Sequence, residues 1–386
     1  MYKSLSKKAE EAIIRERAAG AFYGTPDCAA VREEDNPFDR PTVFRSAFVR
    51  DIGKIINLPL YSRMSDKTQV LSMYRNDDIS RRMLHVQLVS RIARDISRAL
   101  LLNEDLTEAI ALGHDLGHTP FGHAGERMLN KIMHERYGIY FNHNVQSVRA
   151  LTAIHPRNLT IQTLDGILCH NGESPSKKYT PSSSTPDIAE RVALCEKEGE
   201  SEIKKLVPST IEGCVVRIAD IIAYLGKDRQ DAINMNIIHK SDFDYGFSNS
   251  KIINDLSIDI IEHSYAAKGK YLSMSDEAFD TIEKGKQENY KKIYLGEAVN
   301  KVYEQVEPMM VELFDALLSD VKKGGSFTRK CYIDRVAGFN AAYRKEKPER
   351  IVCDFIASMT DDFFIAAYKK LTGKSNPLKY KDYFDI

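Results

Sequence analysis

The run His114-Asp115-Leu116-Gly117-His118-Thr119-Pro120-Phe121-Gly122-His123 places three imidazoles and a carboxylate within ten residues. Five of the ten histidines in the chain fall between positions 114 and 143. Imidazole and carboxylate are the main protein ligands of catalytic transition metals, and imidazole is the usual proton carrier near neutral pH. A purely structural segment has little reason to crowd titratable rings this closely. Neighbouring side chains on a helix diverge by about 100°. His114 and Asp115 therefore seldom share a packing role, yet both can reach an ion held at the edge of that helix.

Helices must carry these residues. From Ile79 to Leu102 the apolar residues Met83, Leu84, Leu88, Val89, Ile92, Ala93, Ile96 and Leu100 recur at three- and four-residue steps. Asn103 is placed to cap the next helix, with Glu104 and Asp105 in its first turn. That helix ends near His114, because Gly117 and Pro120 break the chain. Residues 123–137 and 143–154 read as two more helices, and 164–170 closes another. Residues 171–188 form a polar Pro/Ser-rich insertion, expected to be a mobile loop. A long helix then starts at Ser209, where Ser209-Thr210-Ile211-Glu212 has capping-box spacing. Cys214, Val215, Ile218, Ile221, Ile222 and Leu225 are its apolar stripe. From 250 onward the pattern stays helical. Lys322-Lys323-Gly324-Gly325-Ser326 reads as a hinge or linker, and amphipathic helices are expected over 331–345 and 349–372. Strand signals are weak, so the fold class is all-α.

Four residues on three of these helices compose a metal set. His85 lies mid-way along the first, His114 and Asp115 end the second, and Asp220 lies inside the long capped helix. A carboxylate between apolar neighbours, as in Ala219-Asp220-Ile221, is costly to bury without a partner, and a metal would supply one. Two His and two Asp leave open positions on a six-coordinate ion. Taken singly each signal is weak: a mid-helix His such as His85 is more often a satisfied core or surface residue, and Asp220 could as well pair with an Arg. The combination and its order carry the reading. Arg82, three residues before His85, shares its helix face and can clamp a phosphate. Tyr224 and Asp228 fall four and eight residues after Asp220, on that same face.

The order His85, His114-Asp115, Asp220 resembles the signature of the HD-domain metal-dependent phosphohydrolases. The closer resemblance is to the deoxyguanosinetriphosphate triphosphohydrolase-like branch. It rests on Asp66-Lys67-Thr68-Gln69-Val70, Arg82-Met83-Leu84-His85, the run Ala109 to Glu126, Phe141-Asn142-His143-Asn144, and Ala219-Asp220-Ile221-Ile222-Ala223-Tyr224. It spans roughly residues 36–235. The resemblance implies an HD-domain helical fold with additional C-terminal helices. The expected organisation is an N-terminal arm (1–35), a catalytic core (36–240, interrupted by 171–188) and a C-terminal helical region (241–386) packed on that core.

The resemblance also implies an activity: hydrolysis of a deoxynucleoside triphosphate, dGTP or several dNTPs, at the α-phosphate to deoxynucleoside and tripolyphosphate. It makes His143 the general acid and Glu126 the carboxylate that orients it, although Glu126 alone could be a first-turn helix acid. It puts Arg82, His118 and His123 on the substrate phosphates, and Tyr224 and Asp228 on the deoxyribose. Two other readings stay open: an HD nucleotide monophosphatase or phosphodiesterase, and a non-enzymatic nucleotide sensor. Relatives commonly carry a charged Asp-Arg-Asp-Arg-like segment that here reads Arg50-Asp51-Ile52-Gly53-Lys54-Ile55-Ile56. Leu58-Pro59-Leu60-Tyr61-Ser62-Arg63 departs as well, so base preference and control by a second nucleotide are not fixed.

Composition narrows the remaining classes. The 55 basic and 55 acidic side chains balance, which gives no net-charge argument for a nucleic-acid binder; single-stranded nucleic acid remains an unsupported partner. No apolar run approaches the roughly 20 residues of a membrane span. The six cysteines (28, 169, 195, 214, 331 and 353) form no CxxC pair. Residues 1–17 are charged and carry no signal core. These point to the cytoplasm. The expected cofactor is a divalent ion, Mn, Mg, Fe, Co or Ni. By resemblance the chain forms a homo-oligomer, from dimer to hexamer, with an activating nucleotide as a further expected ligand.

Overall fold

The computed structural model describes residues 2–171, 175–243 and 248–381. Helices dominate, as the periodicity requires. Among the described residues the one sheet is a pair of two-residue strands, Lys178–Tyr179 against Leu272–Ser273, antiparallel with Lys178 opposite Ser273.

Three helices frame the histidine-rich segment. Arg82–Ala99 packs on Ile211–Asn234 and on Glu104–Gly113. Their shared core contains Val89, Ile92, Ala93, Ile96, Leu106, Ile110, Val215, Ile218 and Ile222. Each Val, Leu or Ile of this set contributes about 1.5–3 kcal/mol on full burial. This sum holds the polar site residues in place from behind. Leu84, expected in the apolar stripe, is instead 45% exposed. Asn103 caps its helix as expected: its Oδ1 accepts from the Asp105 and Leu106 N–H groups, both at 3.1 Å.

The long helix begins one residue later than the capping-box pattern suggests. Thr210 is its N-cap and accepts from Gly213. Ser209 N–H is drawn instead to Asp165 at 2.6 Å. Glu212 turns away from the cap, accepting from the backbone of Thr25 and Asn103 and from the Thr25 hydroxyl. A buried carboxylate takes the partners that desolvate it least, and here they lie on a neighbouring segment.

Other elements also differ from expectation. The 143–154 helix is α only to Arg149 and closes with a π-turn over Ala150–Ile154. Positions 172–174 of the polar insertion lie outside the described residues. The rest is held more firmly than a mobile loop, because Tyr179 is buried in the core and Lys178–Tyr179 is paired. Residues 331–345 are not one helix but a π-turn, a single α-turn and the 3₁₀ segment Ala341–Lys345. Residues 349–372 are two helices, Pro348–Ala357 and Asp361–Thr372, with Thr360 capping the second through Phe363 N–H. Lys322–Gly325 is a tight turn in which Gly324 adopts φ +69°.

The C-terminal helices share a core with the helix that follows the histidine run. Phe121, Leu129 and Met133 pack with Met310, Leu313, Phe314, Phe355 and Phe364. The Glu297–Lys322 helix lies against Gly122–Tyr137. Among the described residues no helix is long and apolar enough to cross a membrane.

Candidate metal centre and active site

The turn from His114 to Gly122 is shaped by close backbone approaches. A Cβ on Gly117 would lie 2.3 Å from the Ser147 nitrogen and 2.4 Å from the His143 carbonyl, so only glycine lets this turn rest on the His143 helix. Ser147 fastens the contact: its hydroxyl accepts from Gly117 N–H at 2.8 Å and donates to the His114 carbonyl at 2.6 Å. Phe121 and Gly122 then take consecutive left-handed conformations, φ +62° and +57°. For a bulky residue that conformation is strained. Phe121 is fully buried on Phe364, and its N–H donates to Asp361 at 3.0 Å.

His85, His114, Asp115 and Asp220 converge as the sequence suggests. His85 Nε2 lies 2.9 Å from Asp220 Oδ1 and 3.8 Å from Asp115 Oδ2. His114 Nε2 lies 3.4 Å from Asp115 Oδ1 and 3.9 Å from Asp220 Oδ1. His114 Nδ1 is 2.7 Å from the Ala111 carbonyl. That contact places a proton on Nδ1, so in the neutral ring it is Nε2 that carries the free lone pair. Nε2 is buried and has no hydrogen-bond partner. A buried lone pair facing two carboxylates fits a cation, and a ring N–H anchored on a carbonyl is the usual support of a metal-ligating histidine. The donor set thus fits a divalent metal.

The electrostatics agree with that reading. Burial alone would raise the Asp115 carboxyl, yet His114, Arg82, His118 and His85 hold it well below the ordinary range. Burial also opposes ionisation of Asp220, and the His85 hydrogen bond overrides it downward. His85 is raised: burial lowers it, but its bond to Asp220 and both carboxylates win.

Arg82 reaches the same cluster from below. Its Nη1 donates to Asp115 Oδ2 at 2.5 Å and its Nη2 to the Thr68 and Gln69 carbonyls, while Nε is buried without a partner. His118 Nε2 lies 3.4 Å from Asp115 Oδ1, and its ring stacks on His143 at 4.0 Å. Burial, then Arg82 and His143, push His118 well down from its ordinary value.

The adjoining group centres on Glu126. Its Oε1 accepts from His143 N–H at 2.7 Å and from His143 Nδ1 at 2.8 Å; Oε2 lies 3.2 Å from His123 Nδ1. Burial would raise this carboxyl, but His143 and the bonds from both histidines hold it far below its ordinary value. His123 is about half exposed, whereas His143 is buried. Tyr224 and Asp228 follow Asp220 on one helix face, and Asp228 feels the charges of His85 and His123. Burial raises Asp228 to about 6, with the Tyr294 hydrogen bond opposing.

The matches to known proteins fit this geometry. Residues 82–225 match the HD domain family and 272–370 the phosphohydrolase-associated domain. A deoxyguanosinetriphosphate triphosphohydrolase-like protein of Desulfatibacillum aliphaticivorans is 33% identical, over 86% of this chain and 89% of its own length. One from Caldanaerobacter subterraneus subsp. tengcongensis is 34% identical over 89% of both. One from Rickettsia felis is 30% identical over 86% of this chain and 93% of its own. The chain belongs to the deoxyguanosinetriphosphate triphosphohydrolase-like family. It is a phosphohydrolase of the HD class, and the mainly helical fold is the one that class requires.

Three residues of this family member escaped the sequence reading. His170 stands between the two groups. Its Nδ1 is 2.6 Å from the Ile167 carbonyl, its Nε2 is 3.1 Å from His143 Nε2, and its ring meets His114 edge-on at 4.8 Å. The available signal was a histidine ending the apolar run Ile167-Leu168-Cys169. Lys67 is buried and donates to the His118 and Ala357 carbonyls. Burial, with Arg63 and Arg82 nearby, pushes it down to about 7. Its only sequence signal was its place in Asp66-Lys67-Thr68. Tyr294 donates to Asp228 Oδ2 at 2.6 Å, from a segment with no recognisable motif.

Proposed function

We propose that the chain is a metal-dependent dNTP triphosphohydrolase that cuts at the α-phosphate, releasing deoxynucleoside and tripolyphosphate. The observation that carries this reading is the bare, buried Nε2 of His114 facing Asp115, Asp220 and His85 beside a carboxylate-bound His143. In this reading His85, His114, Asp115 and Asp220 hold the divalent ion; Mn, Mg, Fe, Co and Ni all suit such donors. When bound, that ion acidifies a water and draws charge from a phosphoryl oxygen.

The remaining work falls to side chains. His143 donates a proton from Nε2 to the departing 5′ oxygen. Glu126, ionised and bonded to Nδ1, fixes the ring and stabilises its charged form. One proton between His143 Nε2 and His170 Nε2 satisfies both atoms. Burial, with His114 and His143, pushes His170 down to about 3, which leaves that proton to His143. Arg82, His118 and His123 bind phosphate oxygens. Tyr224 packs on the deoxyribose, and Asp228 accepts the 3′ hydroxyl.

The names of the relatives support dGTP or other dNTPs as substrate. A homo-oligomer, an activating nucleotide and a cytoplasmic location belong to the same reading. The test is a panel of four dNTPs and four NTPs with Mn²⁺ or Mg²⁺, resolved by chromatography, with Asp220→Ala as control. Tripolyphosphate from dNTPs, absent in the variant, is expected. Monophosphate release would instead favour a general HD phosphatase or phosphodiesterase. Silence on single nucleotides with activity on mixtures would point to an activator, and silence throughout to a sensor.

A further inference from the structure

The strained turn that opens the Gly122–Tyr137 helix has its support in the C-terminal region. Asp361 is the first residue of the Asp361–Thr372 helix and is buried. Thr360 caps that helix, so the Asp361 carboxylate is left to serve donors outside it. Two reach it. Phe121 N–H donates to Oδ1 at 3.0 Å, and the Thr68 hydroxyl donates to Oδ2. Both donors are buried as well.

The two donors belong to segments that meet. A Cβ on Gly122 would lie 3.0 Å from the Gln69 carbonyl oxygen, so the turn rests on the backbone beside Thr68. That backbone in turn holds Arg82, whose Nη2 donates to the Thr68 and Gln69 carbonyls at 3.4 and 3.3 Å and whose N–H donates to the Lys67 carbonyl at 3.1 Å. Lys67 closes the ring: its Nζ donates to the His118 carbonyl and, at 2.7 Å, to the Ala357 carbonyl.

A bulky residue in the left-handed region persists only where its surroundings fix it. Phe121 gives its helix no side-chain cap, and its own N–H is fixed by Asp361. If that residue relaxes, the entry of the helix shifts, and His123 and Glu126 shift with it. A buried acid at a helix start also stabilises its own helix through the dipole. Asp362 supplies the same charge one residue on, exposed and bonded to the Tyr380 hydroxyl, and so separates the two effects.

We propose that Asp361 is a positioning residue of the active site: through Phe121 it sets the Glu126–His143 pair, and through Thr68 it sets Arg82, in the roles those residues have in the function proposed above. The carboxylate acts through these two neighbours, as the acceptor of two hydrogen bonds.

The test is steady-state kinetics of the full chain with Mn²⁺ and the dNTP it turns over fastest, paired with amide hydrogen exchange of the same variants. Asp361→Ala should lower kcat about 10–100-fold and raise KM. Thr68→Val cuts only the arm to Arg82, and should raise KM about five- to tenfold with kcat within about twofold of wild type. Asp361→Asn should recover most of kcat, because its amide still accepts from Phe121 and donates to a turned Thr68 hydroxyl. Asp362→Asn should match wild type. In exchange, Asp361→Ala should open residues 66–70 and 118–126 while 211–234 keeps wild-type protection. Exchange reads the strut without turnover: a wild type that releases no tripolyphosphate would sink the proposed function and leave this arm to decide the role of Asp361. Wild-type kinetics in Asp361→Ala, a kcat no better in Asp361→Asn than in Asp361→Ala, or exchange raised evenly along the chain would overturn the proposal. If Asp361→Ala fails to fold, Thr68→Val decides: unchanged KM with unchanged exchange at 66–70 would overturn it.

Discussion

Around Asp115 the polar atoms are packed but incomplete. Around Glu126, a few ångströms away, the carboxylate is saturated. His114 Nε2 is buried without a partner, and two carboxylates share the attentions of His85, His118 and Arg82. Glu126, by contrast, accepts a backbone N–H and contacts from two imidazoles. The first group aims a buried ring nitrogen at two carboxylates. The second holds one ring in one orientation. In the proposed reading, binding and proton transfer fall to separate sets of side chains, with His170 touching both.

The largest effect expected follows from breaking the incomplete half. His114→Ala should abolish metal retention, read by inductively coupled plasma mass spectrometry. Turnover should fall roughly 10³-fold or more, since several kcal/mol of charge stabilisation goes with the ion. His143→Ala should cut turnover about 10²–10⁴-fold while metal content stays at the wild-type value. Joint loss of metal would show that the two halves are not separable. Glu126→Gln should be milder, about 10–100-fold, with the pH–rate profile moved because the partner of Nδ1 is no longer ionised.

Glu126 also predicts an acid limb of stability. Its folded value is depressed, so its contribution is present above the unfolded value of about 4.3 and is lost as pH falls below it. Glu126→Gln should therefore show a smaller drop in Tm between pH 6 and pH 3. Asp228 has the opposite sign. Its folded value is raised to about 6, so its contribution is present below about 3.9 and is lost as pH rises through 6. Asp228→Asn should raise Tm at pH 8 and not at pH 3.5, and KM for a dNTP should fall through pH 6 in the wild type alone. Independently of chemistry, Gly117→Ala should cost about 3 kcal/mol by urea denaturation, because its Cβ meets backbone rather than side chain.

The convergence of His85, His114, Asp115 and Asp220 was readable because its signal is local. His114-Asp115 is a dipeptide, and His85 and Asp220 sit in helices whose apolar stripes are clear. The fold class followed from the same periodicity. What stayed hidden depends on contacts between distant segments. His170 matters only because Ile167 turns its ring toward His143. Tyr294 lies 66 residues from Asp228. Glu212 has ideal spacing for a capping box, yet a neighbouring segment claims it. The break at Ser358–Thr360 in the last expected helix belongs with Asp361, which leaves a helix face to bond Phe121 and Thr68. Periodicity describes one helix at a time and is blind to such ties.

The central claim, hydrolysis at the α-phosphorus by this cluster, is tested most directly by turnover of a dNTP in ¹⁸O-water with mass spectrometry of both products. The account predicts one ¹⁸O in tripolyphosphate, none in the deoxynucleoside, and no labelled product from Asp220→Ala. Label in the deoxynucleoside, or in a released nucleoside monophosphate, would contradict it.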